Sequence, residues 1–315
     1  MKIASLSVVT ACFCAVSSAV AQQPGGLVPV QPRPAATSPP NAQASGVRPP
    51  QTPVLRRRHP AAAAPFRLSA AEQAEVDRVL EAWEQQSARF RKFECDFTRF
   101  EYDEVFGQRN VPRFVDLGHI KYAAPDKGVF RVTHTVKEGR VVPIEPKRAE
   151  HWICDGKAIY GYDFVQKQLV EHQLPPELQG KSISNGPLPF LFGVEADQLK
   201  RRYWIRIVTP PQTQGEIWLE AFPRFQADAA NFQRAEMILK TTGMQPYALQ
   251  LHLPGGQQRT VYQFTNVRIN ARDPTDLLDL FPDNDFRPKL PAGWQKIVQQ
   301  PETPEQASRS SRPRR

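Results

Sequence analysis

The chain has 315 residues, 31 of them proline, and carries a formal net charge of +9. That charge is uneven, because residues 67–300 hold 31 basic and 30 acidic side chains and the excess belongs to the two ends. A nucleic-acid-binding domain carries clustered positive charge on its own folded surface, so this distribution argues against one.

The first 21 residues are typical of a secretory signal peptide. Lys2 precedes an apolar run over 3–20, and Ala19-Val20-Ala21 is a small-x-small cleavage site. We therefore expect a signal peptide over 1–21 and a mature protein in the periplasm or otherwise secreted across the inner membrane. Two alternatives stay open. One is a membrane anchor, which the five Ser and Thr residues of the run disfavour, and the other is lipidation at Cys12 in a lipobox-like Val9-Thr10-Ala11-Cys12.

Two further segments have the composition of disordered chain. Residues 22–66 contain 11 prolines and no acidic residue, which predicts an extended basic linker. Residues 300–315 form a second basic tail. Ordinary solvation is the simpler interpretation of Arg56-Arg57-Arg58, and contact with an anionic membrane surface or wall polymer is the alternative. A single domain is expected between these segments, over 67–299.

The domain begins with a helical pattern and continues as strands. Val76, Leu80 and Trp83 share one face, and Ser69 with Glu72 forms a capping box, so a helix is predicted over about 70–91. The apolar period then becomes two, with turn signals such as Asp155-Gly156 between short runs. This pattern predicts an antiparallel meander of about ten strands. Residues 185–203 interrupt it with a loop and one or two short helices.

Several short motifs of the domain occur in a recognisable order. They are Phe97-Thr98-Arg99, Gly118 to Tyr122 followed by Pro125, the hairpin Cys154-Asp155-Gly156-Lys157, and Gly186-Pro187-Leu188-Pro189-Phe190-Leu191. In this order they resemble the periplasmic lipoprotein carrier family, LolA and its outer-membrane relative LolB, over about 68–298. A closer resemblance, to an uncharacterised domain family of planctomycete bacteria with signal peptides and Pro-rich leaders, implies no assigned activity.

The LolA/LolB resemblance implies an α+β fold and a class of ligand. The fold is an unclosed antiparallel β-barrel, or half-barrel, of about ten strands, covered by the long N-terminal helix and a short lid helix. Its concave apolar face is expected to hold lipid or lipoprotein acyl chains. The candidate cavity and lid residues are Phe130, Arg131, Trp152, Tyr160, Tyr162, Phe164, Leu188, Phe190, Leu191 and Phe192. One departure is Ala124 before Pro125, where the family has the Arg that latches the lid, so the latch is not carried over.

Alternatives stay open for these residues. The aromatic set is equally compatible with ordinary core packing, and Arg131 with a cross-strand pair to Asp or Glu. His119, His134 and His151 occupy three strand candidates, either converging or scattered. Cys95 and Cys154 are either a disulfide or two buried thiols.

The chain lacks the short motifs of common catalytic sites. Gly-x-Ser-x-Gly, His-Glu-x-x-His, a Walker loop and Cys-x-x-Cys are missing after residue 21. We therefore predict a monomeric, non-catalytic lipid- or lipoprotein-binding module, with a carrier role as one form of that activity and with no cofactor, metal or nucleic acid. The alternative is a cell-envelope structural or interaction protein with a filled core and a basic leader that contacts polymer or membrane.

Overall fold

The N-terminal helix starts where the sequence predicts, in a computed structural model that describes residues 63–176, 179–180, 195–271 and 284–299. Helix α1 spans Ala70–Ser87. Its capping box is formed, with the Ser69 hydroxyl accepting from the Glu72 amide at 3.3 Å and the Glu72 carboxylate accepting from the Ser69 amide at 2.7 Å. The helix ends four residues earlier than predicted, because Phe90 turns inward to stack on Phe93, with ring centroids 6.1 Å apart.

Two shorter helices and thirteen strands follow in the described part of the chain. The helices are α2 (Ala196–Arg202) and α3 (Gln226–Ala229). The strands are β1 Lys92–Asp103, β2 Phe114–Ala123, β3 Lys127–Lys137, β4 Arg140–Pro143, β5 His151–Asp155, β6 Ala158–Asp163, β7 Gln168–Gln173, β8 Tyr203–Ile207, β9 Glu216–Pro223, β10 Arg234–Lys240, β11 Gln245–His252, β12 Gln258–Ile269 and β13 Gln295–Gln299. Among these residues no helix has the length and hydropathy needed to cross a membrane.

All thirteen strands belong to one sheet whose two ends do not meet. The order is β13-β7-β6-β5-β3-β2-β1-β12-β11-β10-β9-β8, and β4 pairs with β3 beside this path. Every pairing is antiparallel except that of β13 with β7. The predicted fold class, an α+β protein with an unclosed antiparallel half-barrel, is confirmed. The strand number is corrected from about ten to thirteen, since the predicted set lacked the short, mostly exposed β4 and the fully exposed β13.

The two faces of the sheet bury different sets of side chains, because neighbouring residues of a strand point to opposite sides. The helix face, marked by Phe97, Ile120 and Phe130, packs under Leu80 and Trp83 of α1 in the larger core. The outer face, marked by Val129, Ile153 and Tyr160, packs against Phe286 from the C-terminal segment 284–299. A ligand site on this protein therefore belongs to one face or the other.

The predicted signal peptide, nearly all of the predicted linker and the basic tail lie outside the described residues, as do Leu188, Phe190, Leu191 and Phe192. The described ranges all fall within one compact unit, Gly46–Arg315. The domain boundaries inferred from composition stay a prediction.

Candidate functional site

An apolar pocket lies on the helix face, between the two helices α1 and α2 and the strands β8–β10. The cavity itself is small, with about 10 Å³ that a water-sized sphere can reach. Its lining consists of Leu80, Trp83, Leu199, Ile205, Leu219, Ala221, Ala235 and Met237. Each of these side chains is hydrophobic, none is titratable, and the one N–H donor among them is the indole of Trp83.

The pocket exists because two alanines meet where the sheet would otherwise carry bulky side chains. Ala221 on β9 is paired directly with Ala235 on β10. Ile205 flanks the pair on β8 and Leu251 flanks it on β11. In the row Ile205-Ala221-Ala235-Leu251 the two central side chains are the shortest. A methyl group is too short to reach the α1 side chains above it, so space is left beneath Trp83.

Polar contacts at the edge of the pocket hold the two helices together. The amide of Ala196 donates to the Glu84 carboxylate of α1 at 3.4 Å. Lys200 of α2 lies 3.2 Å from the Asp77 carboxylate. Helix α2 starts at Ala196, and the predicted lid residues directly precede it in the sequence. They are therefore covalently connected to the helix at the pocket edge.

Aromatic side chains fill the helix face toward its other half. Phe130 stacks on Phe97 with centroids 5.0 Å apart and on Trp152 at 5.5 Å, and Tyr262 meets both Phe rings edge-on. Four strands, β2, β1, β12 and β11, separate β3 from β10 and thus Phe130 from the pocket. Phe130 and Trp152 share a face and touch, but they pack into the core rather than line the pocket.

A buried ion cluster closes one end of the helix face. The Arg99 guanidinium lies 2.8 Å from the Asp116 carboxylate, 2.5 Å from Glu150 and 3.1 Å from Glu101, and Arg148 lies 2.7 Å from Asp116. Burial alone would lower the pKa of Arg99, but the charges of Glu150 and Glu101 raise it well above its ordinary value. The side chain therefore stays cationic, and this end of the face is unsuited to an apolar chain.

The other predicted site residues lie on the outer face. The Tyr160 hydroxyl donates to the Asp155 carboxylate at 3.2 Å, and the Tyr162 hydroxyl bonds the Lys289 backbone at 3.0 Å. Phe164 stacks with Tyr162 and meets Trp294 edge-on. Arg131, exposed, alternates with Phe130 and so points away from the helix face. The structure thus divides the described candidates between two surfaces.

The cysteines and histidines form no recognisable catalytic or metal centre in the described ranges. Cys95 and Cys154 are both free and buried. Burial raises the pKa of both thiols, that of Cys154 to about 11, so neither is a thiolate at neutral pH. Within the residues that the structure describes, no three His, Cys, Asp or Glu side chains are grouped to hold a metal ion.

Sequence reasoning missed the pocket because it looked for large aromatic residues. The lining positions on β9 and β10 were inside predicted strands, but an alanine in a strand does not by itself indicate a ligand contact. The available signal was the combination of two alternating strands, each with an alanine two positions from a larger apolar inward residue, Leu219 on β9 and Met237 on β10. That signal needs the strand pairing, because only the register places Ala221 opposite Ala235.

Comparison with known proteins finds similarity in structure only. No family model matches the chain, and no curated protein does. An uncharacterized conserved protein from Thermus thermophilus is similar with a TM-score of 0.40 and 11% identity, over 71% of this chain and 99% of that one. A LolA superfamily protein from Nitrosomonas europaea has a TM-score of 0.32 and 9% identity, over 67% and 96%. Lipoprotein LppX from Mycobacterium tuberculosis has a TM-score of 0.35 and 8% identity, over 64% and 98%.

A LolA superfamily protein is therefore among the proteins of similar structure, as the sequence motifs predicted. The resemblance to a planctomycete domain family stays a prediction.

Proposed function

We propose that this protein is a non-catalytic, extracytoplasmic binding module that holds an acyl chain of a lipid or lipoprotein between α1 and strands β8–β10. The observation that carries the proposal is the hydrophobic lining of the pocket beneath Trp83, which has no titratable side chain. An occupant gains only hydrophobic and dispersion contacts there, which selects hydrocarbon over any polar metabolite.

The size of the pocket limits how much of a chain it holds. The space within it that a water-sized sphere can reach is about 10 Å³, far below the range of about 300–1,000 Å³ typical of ligand sites. That is room for about one water-sized group, and each buried methylene group contributes only about 0.8 kcal/mol, so an acyl chain requires the pocket to widen. Tight retention of a whole acyl chain therefore requires additional apolar cover. The predicted lid residues Leu188, Phe190, Leu191 and Phe192 supply it in this proposal.

The proposal assigns the remaining candidates by face. Phe130 and Trp152 belong to the packed core of the helix face, at least four strands away from the pocket, and are not contacts of the acyl chain. Arg131, Tyr160, Tyr162 and Phe164 belong to the outer face and are not contacts of the acyl chain. In this proposal the predicted signal peptide over 1–21 directs the domain over 67–299 out of the cytoplasm, where the domain follows the linker over 22–66 and acts as a monomer.

Binding of a fluorescent fatty acid tests this proposal. Ala235→Leu fills the middle of the pocket and is expected to weaken binding at least tenfold. Ala248→Leu is the matched control, since Ala248 is also on the sheet but alternates with Leu249 and so faces the other side. Equal binding by both variants and the unsubstituted protein, or no binding by any of them, would contradict the proposal.

A second candidate function rests on the dense packing of the helix face outside the pocket. The stacked rings of Phe97, Phe130 and Trp152 leave no room between them for a ligand. That packing suits a cell-envelope interaction protein whose basic leader contacts wall polymer or membrane. Deletion of residues 22–65 separates the two functions: loss of envelope association with unchanged fatty-acid binding would assign association to the leader and ligand binding to the domain.

A further inference from the structure

Three basic side chains stand side by side across the outer face. His119 on β2 is paired directly with Arg131 on β3, and Arg131 with His151 on β5. Directly opposed residues of antiparallel strands have Cβ atoms about 4.5–5.5 Å apart, so the imidazole, guanidinium and imidazole groups are neighbours. We call these three residues the basic row.

The guanidinium of the basic row is available to a ligand. Arg131 is exposed, and no carboxylate of the described ranges forms an ion pair with it. The expected cross-strand partner is absent because β5 places His151, not an acid, opposite Arg131. The nearest carboxylate in the row is Asp96, which lies beyond His119 and accepts from the Asn266 amide at 2.8 Å. The exposed guanidinium is therefore open to an anion from solvent.

Aromatic packing fixes one end of the basic row. The His151 ring stacks on Tyr162 with centroids 4.3 Å apart and an interplanar angle of 8°. Tyr162 is held in turn by its hydrogen bonds to the Lys289 backbone and by Trp294, 6.0 Å away. The imidazole is therefore pre-oriented, which lowers the entropy that a ligand must offset on binding.

We propose that His119, Arg131 and His151 form a binding site for a phosphate group, presented by a soluble anion or by a lipid headgroup. The guanidinium donates two parallel N–H bonds to phosphate oxygens, which is the geometry arginine favours. Each neutral imidazole carries one N–H donor, and protonation supplies a second. The site lies on the face opposite the apolar pocket and does not depend on the acyl-chain proposal.

Binding at this site is linked to protonation. Burial lowers the pKa of His151 to about 4, helped by the charges of Arg131 and His119. Burial also lowers the pKa of His119, with Arg131 and Lys121 acting in the same direction and Asp96 and Glu94 in the opposite one. Asp285 pairs with Lys121, and Arg268 of β12 pairs with Glu94 at 2.8 Å. A bound anion raises the pKa of both imidazoles, so phosphate binds more tightly as the pH falls.

Titration of the protein with inorganic phosphate, followed by the NMR signals of the histidine rings, tests the proposal. The His119 and His151 signals are expected to shift with phosphate, and their pKa values to rise. Arg131→Gln should weaken phosphate binding at least tenfold and should raise the pKa of both rings in phosphate-free buffer. Arg140→Gln is the matched control, because Arg140 is an exposed arginine of β4 outside the row.

Vesicles distinguish the two sources of phosphate. The assay is co-sedimentation of the protein with phosphatidylcholine vesicles that contain one fifth phosphatidic acid, compared with pure phosphatidylcholine vesicles. A headgroup site is indicated when Arg131→Gln reduces co-sedimentation with the phosphatidic acid vesicles and Arg140→Gln does not. A response to inorganic phosphate without that difference assigns a soluble anion. Absence of both responses overturns the proposal. So does loss of stability in Arg131→Gln without any phosphate effect, which would show that Arg131 pairs with another part of the chain.

Discussion

Gly118 is the residue at which the backbone comes closest to other atoms on the helix face. A Cβ atom there would lie 2.2 Å from the Arg131 carbonyl oxygen and 2.4 Å from the Phe97 ring. The glycine lets the ring lie across β2 and stack on Phe130. The Gly-x-x-x-Tyr motif read from the sequence therefore has a steric reason, namely the packing of Phe97.

Substitution Gly118→Ala is expected to lower the free energy of unfolding by at least about 1–3 kcal/mol, the usual cost of forcing extra atoms into a packed core. Urea denaturation measures the change. Gly161→Ala is the matched control, because a Cβ at position 161 of β6 would meet nothing within 4 Å. Equal stability of the two variants would contradict the close approach at Gly118.

His151 gives the protein a pH dependence with a definite sign. Its folded-state pKa of about 4 lies below the ordinary value of 6.5, because the ring is partly buried beside Arg131. The unfolded chain therefore takes up the proton first, and the stability contributed by the neutral ring is lost as the pH falls from about 6.5 toward 4. At about 1.4 kcal/mol per pKa unit, the loss from this residue is about 3 kcal/mol.

The variant His151→Phe keeps a ring to stack on Tyr162 but cannot take up a proton. Between pH 7 and pH 4.5 the free energy of unfolding of both proteins is expected to decrease. The decrease in His151→Phe should be smaller by about 2–3 kcal/mol, because the variant lacks the titrating ring. His119 and His172, whose pKa values are also lowered by burial, act the same way in both proteins. Identical pH profiles would show that His151 titrates normally.

Among the elements, the C-terminal segment 284–299 packs one buried ring against the sheet. Phe286 is 5% exposed and packs against Val129, Ile153 and Tyr160 on the outer face. Phe286→Ala is expected to lower the free energy of unfolding by about 3–5 kcal/mol. Leu290→Ala is the control within the same segment, because Leu290 is 49% exposed. Comparable losses in both variants would contradict this account of how the segment is held.

Local pattern was sufficient to predict most elements, and it failed where an element depends on distant partners. Helix α1 and its cap were predictable from Ser69, Glu72 and the period of Val76 and Leu80. Strand β13 was not, because all its residues are exposed and its parallel pairing with β7 joins residues more than 120 positions apart. The strand β4 has four residues, too few to show a period.

At the scale of the whole molecule, the two faces of the sheet explain which predicted site residues lie near one another and which do not. Alternation correctly placed Tyr160, Tyr162 and Phe164 on one side of the sheet. It could not tell that Phe130 and Trp152 point to the other side, since that depends on the register between β3, β5 and β6. The pocket was hidden for the same reason, because it arises where Ala221 and Ala235 meet across two strands.

The central claim is that hydrocarbon enters beneath Trp83. Quenching of tryptophan fluorescence by a bromine-labelled stearic acid tests it most directly, because bromine quenches only at short range and Trp83 lines the pocket. We predict saturable quenching in the unsubstituted protein and in Ala248→Leu, and its loss in Ala235→Leu. Absence of quenching in the unsubstituted protein, or equal quenching in all three, would contradict the account.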